Sequence, residues 1–261
     1  MVACSDNGNL LEIIYTNADS LTNKRDDLLL FLKSFEFKPS IIIITEVNSK
    51  NYCCMMESEF SIPEYKTYGT NIGVANFRGI IIYVHASLVA CQVYVTSLFQ
   101  ECVVVQIRYM DKCMLTVGAL YRSPSSNSAN DDYLFELIDY LKLSVSGKLL
   151  IIGDCNFSDI NWQDWSTGST SSRSSNRFLN CLRKNFLVQH VMFPTRARST
   201  QAPSLLDLVI TNDYFIDEVD KFSPLGLSDH SILHVRCLQF LHIGITGNSI
   251  LIEGNMHCRP T

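Results

Sequence analysis

The chain alternates short apolar runs with polar stretches, and the period of each run predicts an element. LEIIY at Leu11–Tyr15 reads as a strand. Thr22 is placed to cap a helix running to Phe35, with Asp26 and Asp27 near its start and Leu28, Leu32 and Phe35 on one face. IIIIT at Ile41–Thr45 is a wholly apolar, β-branched run, which suits a strand buried on both faces. Residues 47–78 hold no sustained pattern and read as loop-rich. Three strand-like runs follow, Gly79–Val84, Cys102–Tyr109 and Met114–Tyr121, with Asp111-Lys112 as a hairpin turn between the last two. After the loop SPSSNSAN, Asn130 can cap a helix through Leu143, with Asp131 and Asp132 in its first turn. Leu149–Ile152 is another buried strand. The polar loop TGSTSSRSS precedes a helix near Asn176–Phe186, and Leu205–Ile210 and Ser231–Arg236 are the last clear strands.

Hairpins mixed with helical crossovers favour a sandwich of two mixed sheets with helices outside over a purely parallel sheet. No internal linker or repeat divides the chain, so residues 1–237 read as one domain and 238–261 as an unmatched tail. With 47% hydrophobic residues in 261, the chain can bury a large core. Its ten cysteines show no C-x-x-C pair, and several lie inside apolar runs, so reduced thiols and an intracellular, reducing compartment are expected. The N terminus lacks a basic segment followed by an apolar run, and no stretch reaches about 18 uninterrupted apolar residues, so neither a secretory signal nor a membrane partner is expected. The net charge of −5 disfavours a polyanion globally. Locally it does not: no acid lies between Asp164 and Asp207, a window holding Arg173, Arg177, Arg183, Lys184, Arg196 and Arg198. Such a window fits either DNA phosphates or an ordinary solvated face.

The candidate chemistry lies at strand ends. Asn17 follows LEIIYT, Glu46 follows IIIIT, Tyr121 follows MLTVGAL, and Asp154 and Asn156 follow KLLIIG. Asp207 opens LVIT, and Asp229 and His230 precede SILHV. Each alone is most often a turn residue or a cap. Were they to converge, hard carboxylate oxygens would suit Mg2+ or Mn2+, and a carboxylate, a tyrosine and a histidine are the parts needed for phosphate-ester hydrolysis. Nucleotide-binding glycine loops and the G-x-S-x-G and H-E-x-x-H motifs are absent.

The series YTNADSLTNKRDDL, IIIITEVN, RGIIIYV, GALYRSP, KLLIIGDCNFSDINW, FPTR, SLLDLVITN and GLSDHSIL resembles the endonuclease/exonuclease/phosphatase superfamily. Within it, the order and wording are most similar to the endonuclease domains of LINE-type retrotransposons of the Jockey or chicken-repeat kind. The resemblance spans about Leu11 to Cys237 and implies an α/β, DNase I-like four-layer sandwich of two mixed β-sheets flanked by helices. It also implies Mg2+- or Mn2+-dependent nicking of double-stranded DNA in the nucleus, with a reverse transcriptase in the same polyprotein, which these 261 residues do not contain.

By the same resemblance, Glu46 and Asn17 would bind the metal with Asp229 at its edge, and Tyr121 would contact the scissile phosphate. Asp154 would activate water with Asn156 beside it, and His230, oriented by Asp207, would stabilise the transition state. Ser228, Thr195, Arg122 and Arg196 would contact the substrate. Two departures stand out. Cys155 replaces an aromatic residue that should face the core, and the glycine-rich stretch before IIIYV is reduced to Phe77-Arg78-Gly79. Trp162 and Trp165 could stack on a base or anchor a loop, and the remaining histidines read as surface or core residues. Three alternatives stay open: a phosphoinositide phosphatase or sphingomyelinase of the same fold, a catalytically dead DNA-binding remnant, and a plain interaction domain.

Overall fold

The computed structural model describes residues 10–35, 38–50, 56–109, 113–168, 173–198 and 201–238. In chain order these form β1 (Leu10–Asn17), α1 (Arg25–Lys33), β2 (Ile41–Thr45), β3 (Tyr65–Thr70), β4 (Ile80–His85), β5 (Val89–Gln92), β6 (Cys102–Tyr109) and β7 (Cys113–Tyr121). There follow α2 (Ser128–Ser144), β8 (Lys148–Asp154), β9 (Ile160–Asn161), β10 (Ser166–Thr167), α3 (Arg173–Lys184), β11 (Val188–Gln189), β12 (Asp207–Thr211), β13 (Ile216–Phe222) and β14 (Ile232–Leu238).

One sheet runs β13-β14-β1-β2-β4-β3 and the other β11-β12-β8-β7-β6-β5. Each has a single parallel pair at its centre, β1 with β2 across α1 and β7 with β8 across α2, flanked by antiparallel pairs. Parallel neighbours need a crossover, and the helices that supply it cover the outer faces. Leu11, Ile13, Ile41 and Ile43 meet Val117, Ala119, Leu150 and Ile152 between the sheets. Alternate residues such as Ile14, Ile42 and Ile44 pack under α1 with Leu28, and Ile151 and Leu149 pack under α2 and α3 with Leu134 and Phe178. The expected four layers are therefore present.

Local differences from the sequence reading have simple causes. Thr22 lies in a 3-10 turn, Leu21–Asn23, and α1 starts only at Arg25. The cap of α2 is Asn127: its side chain accepts from the Asn130 N–H at 2.9 Å, so Asn130 is the donor rather than the cap. Strands β3, β5 and β13 were not predicted. Their exposed or polar positions (IDEVDKF in β13) suit outer strands that face solvent on one side. The Asp111-Lys112 turn lies outside the described residues, as do 239–261 of the tail. Cys155 is buried against the helices, as expected. The free thiols among the described residues are Cys91, Cys102, Cys155, Cys181 and Cys237. Trp162 is buried in edge contact with both Trp165 and Phe178, which fits loop anchoring. No helix of the described residues is long and apolar enough to cross a membrane.

Candidate active site

Sheet register brings the polar strand ends together. Tyr121 on β7 is the partner of Asp154 on β8, and Asp154 is the partner of Asp207 on β12. In the facing sheet Asn17 is the partner of Thr45, immediately before Glu46. These side chains share parity with the inter-sheet core residues and form its polar rim. Close approach of β7 and β8 is built in at Gly153, where a Cβ would lie 1.8 Å from the Leu120 carbonyl oxygen. Glu46 and Asn156 hold positive φ, 54° and 50°, a conformation that costs a non-glycine residue about 1 kcal/mol and here aims two site residues.

The carboxamide of Asn17 links the sheets. Its Nδ2 donates to Glu46 Oε1 at 2.8 Å and to Asp154 Oδ2 at 2.9 Å, while its Oδ1 accepts from the Asp19 N–H at 3.0 Å. Asn17 was expected as a metal ligand. In this geometry its Nδ2 spaces the two acids, and its Oδ1, which accepts one N–H, lies beside Glu46. Glu46 Oε2 is ion-paired with Arg78.

His230 donates from Nδ1 to Asp207 Oδ2 at 2.7 Å, and its Nε2 faces Asp154 Oδ2 at 3.9 Å and Asp229 Oδ1 at 3.8 Å. Burial alone would lower its pKa, but Asp207, Asp154 and Asp229 outweigh burial and push it up to about 9. These acids favour the doubly protonated imidazole, which would turn an Nε2–H to the cleft. Asp207 is held in turn: Tyr15 Oη donates to its Oδ1 at 2.8 Å, and its N–H donates to Thr195 Oγ1 at 3.0 Å. Burial, then Asp207 and Glu46, drive the carboxyl of Asp154 well above the usual carboxylate range, against the pull of His230 and Asn17. Burial also raises the Tyr121 hydroxyl, reinforced by Glu46 and Asp154.

The expected substrate contacts divide. Arg122 is corrected: it is buried, donates to both oxygens of Asp131 at 2.6 and 3.1 Å and to the carbonyls of Cys155 and Asn156, and lies 4.0 Å over the Phe157 ring. It braces the loop after β8 rather than facing a ligand. Thr195 is also corrected, since its buried hydroxyl accepts from the backbone of Leu206 and Asp207. Ser228 likewise donates to the Asn17 carbonyl at 2.8 Å and accepts from the His230 N–H at 3.2 Å, joining β1 to the loop that carries His230.

Asn156 donates from its side chain to the Arg122 carbonyl at 2.8 Å. Asp229 pairs through Oδ2 with Arg196 at 2.7 Å and with Arg198, leaving Oδ1 toward His230. The basic window is less free than its sequence reads: Arg177 pairs with Asp132 and Lys184 with Asp139 on α2, so Arg196 and Arg198 are the pair placed beside His230.

Oxygens of Asp154 and Asp207 and a nitrogen of His230 lie within 4.8 Å of one another. Asp207, however, already holds His230 with one oxygen and Tyr15 with the other. The carboxylates turned to one another across the sheets are Glu46 and Asp154, separated by a single NH2 group. Two acids so close, one with a raised pKa, make a donor set that fits a hard divalent cation. Tyr15 and Arg78 escaped the sequence reading. Tyr15 could have been found by parity, being two residues before Asn17 on a strand, and Arg78 by its place just ahead of the strand that pairs with IIIIT.

Residues 115–234 match the protein family described as endonuclease-reverse transcriptase. No curated protein matches the sequence. Among solved structures, the endonuclease domain of TRAS1, a telomere-specific non-LTR retrotransposon, is similar with a TM-score of 0.67 and 16% identity, covering 88% of this chain and 99% of that one. The AP endonuclease LMAP from Leishmania major gives 0.70 and 11%, covering 90% and 89%. A 3′ phosphatase from Neisseria bound to product DNA hairpin gives 0.64 and 14%, covering 87% and 99%.

Proposed function

We propose that this chain, a member of the endonuclease/exonuclease/phosphatase superfamily, is a divalent-metal-dependent endonuclease that nicks one strand of double-stranded DNA, as the target-site nuclease of a non-LTR retrotransposon. The observation that carries the reading is the single cluster of Glu46, Asn17, Asp154, Asp207 and His230, drawn from both sheets. Glu46 would hold Mg2+ or Mn2+, with Asp154 facing it across the Asn17 carboxamide. When bound, the ion supplies charge neutralisation at the phosphate and the leaving oxygen.

The chain's own groups do the rest. Asp154, with its Oδ2 3.9 Å from His230 Nε2 and held by Asn17, is placed to accept the proton of the attacking water. His230 donates its Nε2–H to a phosphoryl oxygen as charge builds there, and Asp207 keeps the ring oriented and charged. Tyr121, whose hydroxyl stays protonated, donates to the same phosphate. Arg196 and Arg198 contact flanking phosphates, so binding weakens with salt.

A supercoiled-plasmid assay tests this. Relaxation to the nicked circle is expected with Mg2+, is abolished by EDTA, and is lost in Asp154→Ala and His230→Ala. Nicking that persists unchanged in both variants overturns the assignment. Turnover of an inositol phosphate or sphingomyelin in place of DNA overturns the substrate class.

A further inference from the structure

Two adjoining cavities beside Tyr121 take no part in the chemistry above. The nearer, about 410 Å³, runs from Tyr121 past Lys50 and Arg78 to Leu98. The farther, about 530 Å³, opens where the edge strands β3 and β5 end, at Thr70 and Gln92. Phe77, Phe99 and Gln100 line both, so the two make one trough that leads away from the cluster of acids. Hydrogen bonds tie its walls together. Tyr68 Oη donates to the Ala90 carbonyl at 2.8 Å and joins β3 to β5, and Asn71 Nδ2 donates to the Gln100 carbonyl at 2.9 Å. Asn48 donates to the carbonyls of Asn71 and Phe77 at 2.7 and 2.9 Å and accepts from the Gly73 N–H at 2.9 Å, which fixes the rim between β3 and β4.

The lining decides what fits. Lys50, whose side chain is 64% exposed, stands at the near end, where a phosphate next to the scissile one would pass. No Lys, Arg, Asp or Glu lines the farther cavity, so it has no cation to hold a phosphate backbone. It is too polar for a purely apolar guest, since Thr70, Asn71, Gln92, Ser97 and Gln100 contribute to its walls. The side-chain amides of Gln92 and Gln100 have no hydrogen-bond partner among the described residues. Tyr94 also lines this cavity and is 87% exposed, a ring held where the face of a ligand can reach it. Free amide donors and acceptors beside an aromatic ring match the edge and the face of a nucleobase. Inside a duplex that edge is paired and that face is stacked, so only an unpaired base fits.

Resting on the nuclease reading above, we infer that the farther cavity is a subsite for one unpaired base of the cut strand, on the Tyr121 side of the scissile phosphate. The base stacks on Tyr94 and hydrogen-bonds to Gln92 and Gln100, which line the cavity with it. The nearer cavity carries the sugar and phosphate that join this base to the cut, beside Lys50. The chain then prefers DNA already distorted at that flank, because a bulged or mismatched base has lost its pairing before it binds. The carboxylates and His230 meet only the scissile phosphate, so pairing at the flank is read by the trough.

Duplexes of one sequence that the protein nicks, fully paired or carrying a single unpaired 2-aminopurine at successive positions on either side of the cut, test this. For the wild type, an unpaired base on one flank should raise kcat/KM about tenfold, and one on the other flank should leave it within about twofold. Tyr94→Ala and Gln92→Leu should bring that ratio of unpaired to paired rates close to one. Tyr214→Ala, at an exposed tyrosine outside the trough, should keep the wild-type ratio. In EDTA, where nothing is cut, binding should quench 2-aminopurine at the preferred position in the wild type and leave it bright in Tyr94→Ala. A ratio near one at every position in the wild type, or a raised ratio that survives in both trough variants, overturns the subsite. Nicking of the paired duplex by that same wild type leaves the nuclease reading standing, and a wild type that nicks no duplex removes both.

Discussion

Replacing Arg122 separates a structural ion from a DNA contact. In Arg122→Met the aliphatic stem stays over Phe157, but Asp131, only 1% exposed, loses both guanidinium bonds and keeps the Ser126 hydroxyl at 2.8 Å. Removing one partner of a buried pair costs about 3–5 kcal/mol, because the other charge is left uncompensated. The surviving Ser126 bond places this site at the lower end, about 3 kcal/mol, or a melting temperature lower by roughly 6–12 °C for a domain this size. Urea unfolding followed by fluorescence of Trp162 and Trp165 measures the loss. Removing both charges in Arg122→Met with Asp131→Leu should return stability to within about 1–2 kcal/mol of wild type. DNA binding by folded protein should keep its salt dependence. Had Arg122 touched a phosphate, the slope of log K against log salt would shrink by about 0.9. Wild-type stability in Arg122→Met together with that smaller slope would refute the structural assignment.

Two further outcomes follow from the same contacts. Tyr15→Phe removes the donor to Asp207 Oδ1 and the acceptor of the Thr45 hydroxyl, and should cost about 1–3 kcal/mol and lower kcat with little change in KM, measured by denaturation and steady-state nicking. His190 has its pKa lowered to about 4 by burial, against about 6.5 when unfolded. The unfolded chain thus binds the extra proton between those values, so this residue's contribution is full above pH 6.5, declines as pH falls toward 4 and is flat below. His190→Gln should remove that decline, seen as a stability difference from wild type that narrows only within the window.

Much of the site was legible because strands have period two. Leu11, Ile13, Tyr15 and Asn17 share one face, as do Val117, Ala119 and Tyr121, and Leu150, Ile152 and Asp154. A polar residue ending such a series must lie at the rim of whatever the apolar members bury. Convergence was not legible, since it joins Asn17 to Asp154 and Tyr15 to Asp207 through the stacking of two sheets. Nor were the directions of short hydroxyls. Thr195 and Ser228 stand beside the site in sequence, but nearby backbone groups claim them, an outcome set by loop geometry. Arg122 is a related case: the residue after Tyr121 can point toward solvent or back into the protein, and Asp131 in the first turn of α2 decides it.

Among the described residues, the first strand is completed by the last. β1 lies between β2 and β14, with Leu10 opposite Leu238, so one flank of β1 is paired with residues synthesised more than two hundred positions later. During translation β1 and β2 can join early, but the open hydrogen-bonding edge of β1 waits for Ile232–Leu238 to leave the ribosome. A nascent chain stalled before that point would display this edge to other chains, and chaperone dependence should fall when β14 emerges.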